Sequence, residues 1–307
     1  MIVASACAGR RKATKMSVLI IGGVGYVGSA LFRSLAAGGY SVDTVDQELR
    51  GNRVNGRNIR ADFQHLTASF LANYSTIILL AGHSNVGQSV KDPYGAFDNN
   101  LVSFKTLLSK LNNQRLIYAS SSSIYTGVGG QIVDENWKTF NFMNMYDFTK
   151  YACDAVSQLL YSNFYSLRFG TVNGPSENIR LDLIINRMVW SGLTRGKVQM
   201  ANPQIRRPIL GISDLCRSVE AIVGGPDVPG IYNVASFNTT VGEVAQAVSR
   251  AIGCEIEHLA DTPSYDFSMH TNKLQDVYKI APQDTLDSII RDLVEFHKTK
   301  DLRNYEP

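Results

Sequence analysis

An α/β fold, a doubly wound parallel sheet with a smaller and mainly C-terminal lobe, is what this sequence predicts, and three observations predict it. A short apolar run, Val18 to Ile21, leads into Gly22, Gly25 and Gly28 at spacing three, and Val27, Leu31 and Leu35 then continue at helical spacing. From Met16 onward, short apolar strands alternate with helical patterns, the signature of a parallel sheet covered on both faces. Past Gly174-Pro175 the pattern gives way to shorter helices and loops.

In order, strands are expected at 17–21, 41–46, 57–60, 76–81, 115–119 and 165–169, with a long helix from Pro93 to Leu111. Asp92-Pro93 is a strong start for that helix, because an N-cap carboxylate precedes a proline whose missing N–H costs nothing at the first helical position. Later helices are expected at 178–192, 213–223, 240–252 and 285–300, with a return strand from Gly230 to Val234. The chain then divides into a tail (1–15), a dinucleotide-binding domain (16–173, rejoined by a segment near 208–236) and a mainly substrate-binding lobe (174–307).

The glycines sit on a strand-to-helix turn, where a pyrophosphate is usually cradled. Gly22 makes the tight turn, Gly25 lets backbone N–H groups approach phosphate without a Cβ in the way, and Gly28 lets the helix pack closely on its strand. The turn residues Gly22, Gly25, Tyr26, Val27 and Gly28 are therefore assigned to a dinucleotide, in a Rossmann-type arrangement. Asp46, ending the second strand, strengthens this: a carboxylate there accepts hydrogen bonds from both ribose hydroxyls and repels a 2′-phosphate, which favours NAD over NADP. Asp62-Phe63, after the third strand, reads equally as an adenine-flanking pair or as a helix cap followed by a core phenylalanine. Ala81 and Gly82 end the fourth strand at the edge where ligands lie in such sheets. His83 receives no role.

Composition excludes several classes. With 307 residues, 44% hydrophobic and 19% charged, the chain has the makeup of an ordinary globular protein, and no apolar run is long enough to span a bilayer. Arg10, Arg11, Lys12 and Lys15 account for the formal charge of +3; removing those four from 30 basic residues leaves 26 against 27 acidic ones. A body so near neutral gives no reason to expect a nucleic-acid or membrane surface. The first 15 residues lack an apolar core and carry their charges after the apolar part, the reverse of a secretory signal, and Met16 offers an alternative start. Cys7, Cys153, Cys216 and Cys254 are scattered, so neither a disulfide framework nor a metal site is expected, and a reducing cytoplasm fits best.

The chemistry converges on two further motifs. Ser120-Ser121-Ser122-Ser123-Ile124-Tyr125 closes the fifth strand, and Tyr146-Asp147-Phe148-Thr149-Lys150 opens a helix. Spacing of four sets the phenol and ammonium on one helix face. A phenol is a poor base at neutral pH, and a lysine cation beside it favours the phenolate. Tyr146 becomes a usable proton acceptor, Lys150 also serves the nicotinamide ribose, and a serine holds the substrate oxygen.

These residues resemble the extended short-chain dehydrogenase/reductase family, in its NAD-dependent nucleotide-sugar epimerase/dehydratase branch. The resemblance runs from Met16 through Asp98-Asn99-Asn100, the serine run, Tyr146 with Lys150, Leu167-Arg168-Phe169, Gly174-Pro175 and Arg206-Arg207-Pro208 to Asp214. It implies that Ser121, four residues before Tyr125, is the catalytic serine, that Asn99 touches the cofactor, and that Thr171, Asn186 and Arg207 face the sugar nucleotide, Arg207 at its diphosphate. It implies a homodimer in which helices 93–111 and 146–162 pair across a two-fold axis, with Ala96, Leu101, Leu107, Leu108, Ala152, Val156 and Leu159 as apolar positions.

Departures narrow the activity. Where 4,6-dehydratases of the family carry Asp-Glu, this chain has Ser122 and Ser123, which disfavours dehydration. Thr171 stands where many 4-epimerases have Asn, and Pro208-Ile209 replaces Asp-Phe/Tyr. The expected function is epimerisation of a nucleotide-activated hexose through a 4-keto intermediate with retained NAD. Net oxidation or reduction of a nucleotide sugar, and a non-catalytic NAD-binding protein, are the alternatives.

Overall fold

The computed structural model describes residues 16–49, 51, 52, 54, 58–138 and 141–299. The tail read for residues 1–15 lies outside the described residues.

The strands are β1 (Ser17–Ile21), β2 (Ser41–Asp46), β3 (Asn58–Arg60), β4 (Thr76–Leu79), β5 (Arg115–Ser121), β6 (Ile132–Val133), β7 (Phe164–Phe169), β8 (Thr171–Asn173), β9 (Lys197–Met200), β10 (Arg206–Gly211), β11 (Gly230–Val234), β12 (Phe237–Thr240), β13 (Glu255–His258) and β14 (Ser268–Met269). Helices are α1 (Tyr26–Ala37), α2 (Ala68–Leu71), α3 (Val86–Lys91), α4 (Pro93–Phe97), α5 (Ser103–Leu108), α6 (Met145–Leu160), α7 (Ile184–Arg195), α8 (Ile212–Gly224), α9 (Val241–Ile252), α10 (Asn272–Tyr278) and α11 (Leu286–Lys298).

Seven strands form one parallel sheet in the order β11-β7-β5-β4-β1-β2-β3, so the fold is the doubly wound α/β architecture expected. Strand order reverses between β1 and β4, which opens a crevice beyond Ile21 and Leu79. Each face is apolar because successive side chains alternate: Val18 and Ile20 join the core under α1 and α8, and Leu19 and Ile21 join the core that holds Phe104, Leu107 and Tyr118. The lobe has its own core, in which α7, α9 and α11 bury Ile185, Val189, Val244, Val248 and Leu293. The return segment divides between the two: β10 pairs with β8 and β12, whereas β11 adds to the edge of the large sheet.

Four expectations change. The fourth strand ends at Leu79, because the Leu80 and Ala81 amides both turn to the Ile21 carbonyl, at 2.8 and 3.0 Å. The fifth strand runs on to Ser121, paired with Phe169 on β7. The helix expected from Pro93 to Leu111 ends at Leu108 and widens to a π-helical turn at Asp98–Val102, where Ser103 Oγ donates to the Asp98 carbonyl at 2.9 Å. Such widened turns concentrate at functional sites. Likewise the helix expected at 178–192 begins only at Ile184, and Gly174, Ser176 and Asn178 before it bond instead to Tyr26 and Val24 at the glycine turn.

Helix α6 is fixed to the sheet by a buried ion pair. Arg168 Nε on β7 donates to Asp154 Oδ2 at 2.9 Å, and both side chains are almost fully buried. Removing one partner strands the other charge in a low dielectric. Asp154→Ala is expected to cost about 3–5 kcal/mol of stability, measured by denaturant titration; a cost below ~1 kcal/mol contradicts this role.

Candidate active site

The glycine turn folds as its spacing demands. Gly22 adopts φ +88°, and a Cβ there would meet the Ala81 amide nitrogen at 2.6 Å. A Cβ on Gly28 would lie 2.1 Å from the Gly22 carbonyl oxygen, so only glycine lets α1 start this close to β1. Gly25 differs: a Cβ would touch protein only at 3.4 Å, and the residue borders a cavity of about 270 Å³. Gly25 is also the N-cap of α1 and offers no side-chain cap, which leaves the first N–H groups of the helix free for an anion.

Gly22, Tyr26, Val27, Gly28, Asp46, Phe63, Ala81, Gly82 and Asn99 border the same cavity. The Asp46 carboxylate accepts from the Val24 amide at 3.2 Å and the Glu48 amide at 2.8 Å, one bond to each oxygen. Each oxygen keeps a further lone pair for a ribose hydroxyl. Asn99 Nδ2 meets His83 Nδ1 at 3.0 Å, and Asn100, on the same widened turn, accepts the His83 amide at 2.7 Å. His83 is thus a partnered part of the wall's support.

Asp62 keeps both of its readings, and the Asn186 assignment is corrected. Asp62 Oδ1 caps the 3₁₀ turn Phe63–His65 by accepting the Gln64 amide at 2.9 Å, and its neighbours Ala61 and Phe63 border the cavity. Asn186 is fully buried and lines neither cavity. Its Oδ1 accepts the Gly174 amide at 2.9 Å, and its Nδ2 donates to the Tyr26 hydroxyl at 3.1 Å and to the Arg180 carbonyl at 2.9 Å. With its groups engaged inside the protein, it has no side-chain face toward a sugar. The Tyr26 phenol is buried in the same knot, donating to the Gly174 carbonyl at 2.8 Å.

A second cavity of about 410 Å³ adjoins the first, sharing Tyr26, Val27, Leu80, Ser84 and Arg180. Ser121, Tyr146, Lys150, Thr171 and Arg207 all border it. Ser121 ends β5 and caps the following 3₁₀ turn: its Oγ accepts the Ser123 amide at 3.1 Å and donates to Ser123 Oγ at 2.9 Å. Tyr146 and Lys150 lie on one face of α6, with Lys150 Nζ 5.6 Å from the Tyr146 ring centre and donating to the Ala119 carbonyl at 2.7 Å. The ammonium is therefore held between α6 and β5. Arg207 donates to the Tyr265 carbonyl and to Ser264 Oγ, and burial holds its guanidinium below the usual value despite nearby Asp266.

The structure adds wall residues with no local sequence signal. Arg180 borders both cavities and is fixed by Asp182 at 2.5 Å and by the Ser84 carbonyl at 3.2 Å. Tyr265 and Phe267 reach the second cavity from a segment far along the chain. A lone arginine in a loop and two aromatics outside any motif carry no spacing that points to a site.

The two glycines separate fold from binding. Gly28→Ala should lower the melting temperature and weaken dinucleotide binding, whereas Gly25→Ala should leave melting unchanged and weaken binding more than about tenfold, ~1.4 kcal/mol. Thermal melting and fluorescence titration of both variants check this; equal losses of melting temperature contradict it.

Comparison with known proteins places these cavities in context. The model of the NAD dependent epimerase/dehydratase family matches residues 18–235. A UDP-glucose 4-epimerase of Rhizobium leguminosarum bv. trifolii is 25% identical over 323 residues, spanning 92% of this chain and 97% of its own. Protein CapI of Staphylococcus aureus is 25% identical over 240 residues, 70% of this chain and 71% of its own. Among solved structures, MoeE5 in complex with UDP-glucuronic acid and NAD superposes with TM-score 0.83 at 23% identity, over 92% of this chain and 99% of that one. The UDP-glucuronic acid 4-epimerase from Bacillus cereus does so with TM-score 0.80 at 20% identity, over the same shares of the two chains. The family match spans the glycine turn, the serine strand and the Tyr146–Lys150 helix, and the chain belongs to the NAD-dependent epimerase/dehydratase family.

Proposed function

We propose that this protein is an NAD-dependent epimerase of a nucleotide-activated hexose. The carrying observation is that Ser121, Tyr146 and Lys150 border one cavity that adjoins the dinucleotide turn, with Arg180 and Arg207 in the same wall to receive a diphosphate. At 122 and 123, serines stand where dehydration would want carboxylates. Relatives named UDP-glucose 4-epimerase support the reading at low identity.

The residues present fit NAD: Gly25 leaves a cradle that a Cβ would fill, the start of α1 offers its N–H groups, and Asp46 keeps free lone pairs at the ribose position. Bound NAD would accept a hydride from the sugar carbon and return it to the opposite face. Tyr146 takes the proton of the sugar hydroxyl and gives it back, Lys150 favours the phenolate and holds the ribose, and Ser121 keeps the reacting oxygen beside Tyr146. Thr171, bordering the same cavity, contacts the sugar. Arg207, already desolvated, gives strong charge-assisted bonds to phosphate oxygens at little further cost.

A homodimer accompanies this reading. Ala96, Leu107 and Leu108 are buried within the subunit itself, so they are not the interface positions; Tyr94 and Leu159, each 83% exposed, and Val90 and Leu160 are apolar and outward on α3, α4 and α6, which pack together.

Three measurements test the proposal. A panel of UDP-, GDP-, CDP- and dTDP-sugars with NAD should give one class that raises melting temperature and is epimerised without release of NADH; release of NADH in step with product makes the protein a dehydrogenase instead. Tyr146→Phe should lower kcat by about 100-fold to 10,000-fold with NAD binding intact, and Ser121→Ala should cost less. Ser122→Ala should be milder again, and near wild-type turnover by Tyr146→Phe sinks the mechanism. NAD should bind more tightly than NADP, with Asp46→Ala narrowing the difference; equal affinities in the parent protein remove the Asp46 argument.

A further inference from the structure

Asp147 follows the tyrosine of the catalytic pair, and its side chain is completely buried, with no task in the mechanism above. Its amide donates to Asn144 Oδ1 at 3.0 Å, which caps α6. Its carboxylate Oδ2 accepts from Asn144 Nδ2 at 2.9 Å and from the Tyr265 hydroxyl at 3.0 Å. Its Oδ1 is buried without a hydrogen bond among the described residues, although the Ser123 hydroxyl faces the carboxylate and favours its charged form. Burial pushes the carboxyl upward, and the donors Ser123, Tyr265, Asn144 and the Met143 amide oppose that push.

Tyr265 leads outward from this carboxylate to the substrate side. Its main-chain carbonyl accepts Arg207 Nη1, its neighbour Ser264 accepts Arg207 Nη2, and the guanidinium stands 5.8 Å from the Tyr265 ring centre. Elsewhere segment 259–267 is tied to the lobe by the Leu259 amide to Met200, by Asp261 and Thr262 to Asn202, and by Asp266 to the Arg206 amide, while the Asp266 carbonyl accepts the Gly130 amide at 2.7 Å, a main-chain tether beside which the Tyr265 hydroxyl is the side-chain one. The Tyr265 hydroxyl therefore spans from the lobe to the start of the catalytic helix, and Tyr265, Arg207, Ser123 and Tyr146 border one cavity.

We propose that Asp147 is a positioning residue: through Tyr265 it latches segment 259–267, and with it Arg207, to the N-terminus of the catalytic helix, so that the diphosphate grip and the Tyr146 phenol are held at a fixed separation. The inference rests on the function proposed above for its catalytic consequence, and on geometry alone for the latch. A buried carboxylate is a demanding acceptor, because leaving it unbonded costs several times what an ordinary hydrogen bond contributes. It therefore recruits the phenol hydroxyl persistently, where a surface acceptor would share it with water. Closing the lobe over the helix in this way confers alignment, since an ångström of misplacement between a remote binding group and a reacting atom is costly in rate.

Tyr265→Phe removes one hydroxyl and Asp147→Asn one charge, each at nearly constant volume. In hydrogen exchange on the full chain, amides of 259–267 should exchange about tenfold faster in both variants while the β1, β4 and β5 amides keep their protection. On the substrate found by the sugar panel, Tyr265→Phe should lower kcat about tenfold with KM within about threefold. Unchanged exchange of 259–267 in both variants overturns the latch, and uniformly faster exchange throughout the chain makes Asp147 a merely structural residue and overturns it too. Should the parent protein turn over no nucleotide sugar, the functional reading falls, and the exchange result still decides the latch.

Discussion

The buried pair between Arg168 and Asp154 is the constraint on which the site depends. Helix α6 carries Tyr146 and Lys150, and two turns further along the same helix Asp154 is bound to β7, next to the serine strand β5. The pair does not stand alone. Ser166 and Tyr118 donate to Asp154 Oδ1, Arg168 Nη1 donates to the Tyr125 hydroxyl at 2.8 Å, and Tyr125 donates to Asn233 on β11 at 2.6 Å. A satisfied polar network in a low-dielectric interior admits one geometry, whereas apolar packing tolerates small slides and rotations. The cost of desolvating two charges thus yields a fixed register between the helix that carries the phenol and the strand that carries Ser121.

A second polar knot closes the other side of the crevice. The Tyr26 hydroxyl, the Gly174 peptide and the Asn186 side chain bond to one another, Ser29 and Ser176 hydroxyls meet at 2.7 Å, and Asn178 donates to the Val24 carbonyl. These contacts press residues 174–183 onto the first turn of α1. The two cavities consequently share a wall, the arrangement that the proposed hydride transfer between two bound ligands would need. Asn186 serves this closure, a use of a polar residue that its place in the family pattern does not distinguish from sugar contact.

The widened turn at Asp98–Val102 works in the same manner. An extra residue in the turn lets Asn99 and Asn100 both serve the wall: Asn99 meets the His83 ring, and Asn100 reaches the His83 main chain and Thr149 of α6. The same Asn100 side chain would clash with any Cβ on Gly82, which accounts for the glycine at φ +152° there. Strand end, widened helix and α6 are thereby tied at one point.

The sequence alone determined the parallel sheet, the glycine turn, the Asp46 strand end and the pairing of Tyr146 with Lys150, because each is written in a local period: two for strands, 3.6 for helices, three for the glycines. It also offered both readings of Asp62 and could not choose, since a capping carboxylate and an adenine-facing one have the same neighbours in the chain. Tertiary structure decided the burial of Asn186, the π-helical turn, and the arrival of Arg180 and Tyr265 at the cavities. Their partners lie far along the chain, Asp147 and Tyr265 being 118 positions apart, and a contact across such a separation leaves no periodic trace. It exists only once the sheet and the buried Arg168–Asp154 pair have brought the distant segments together.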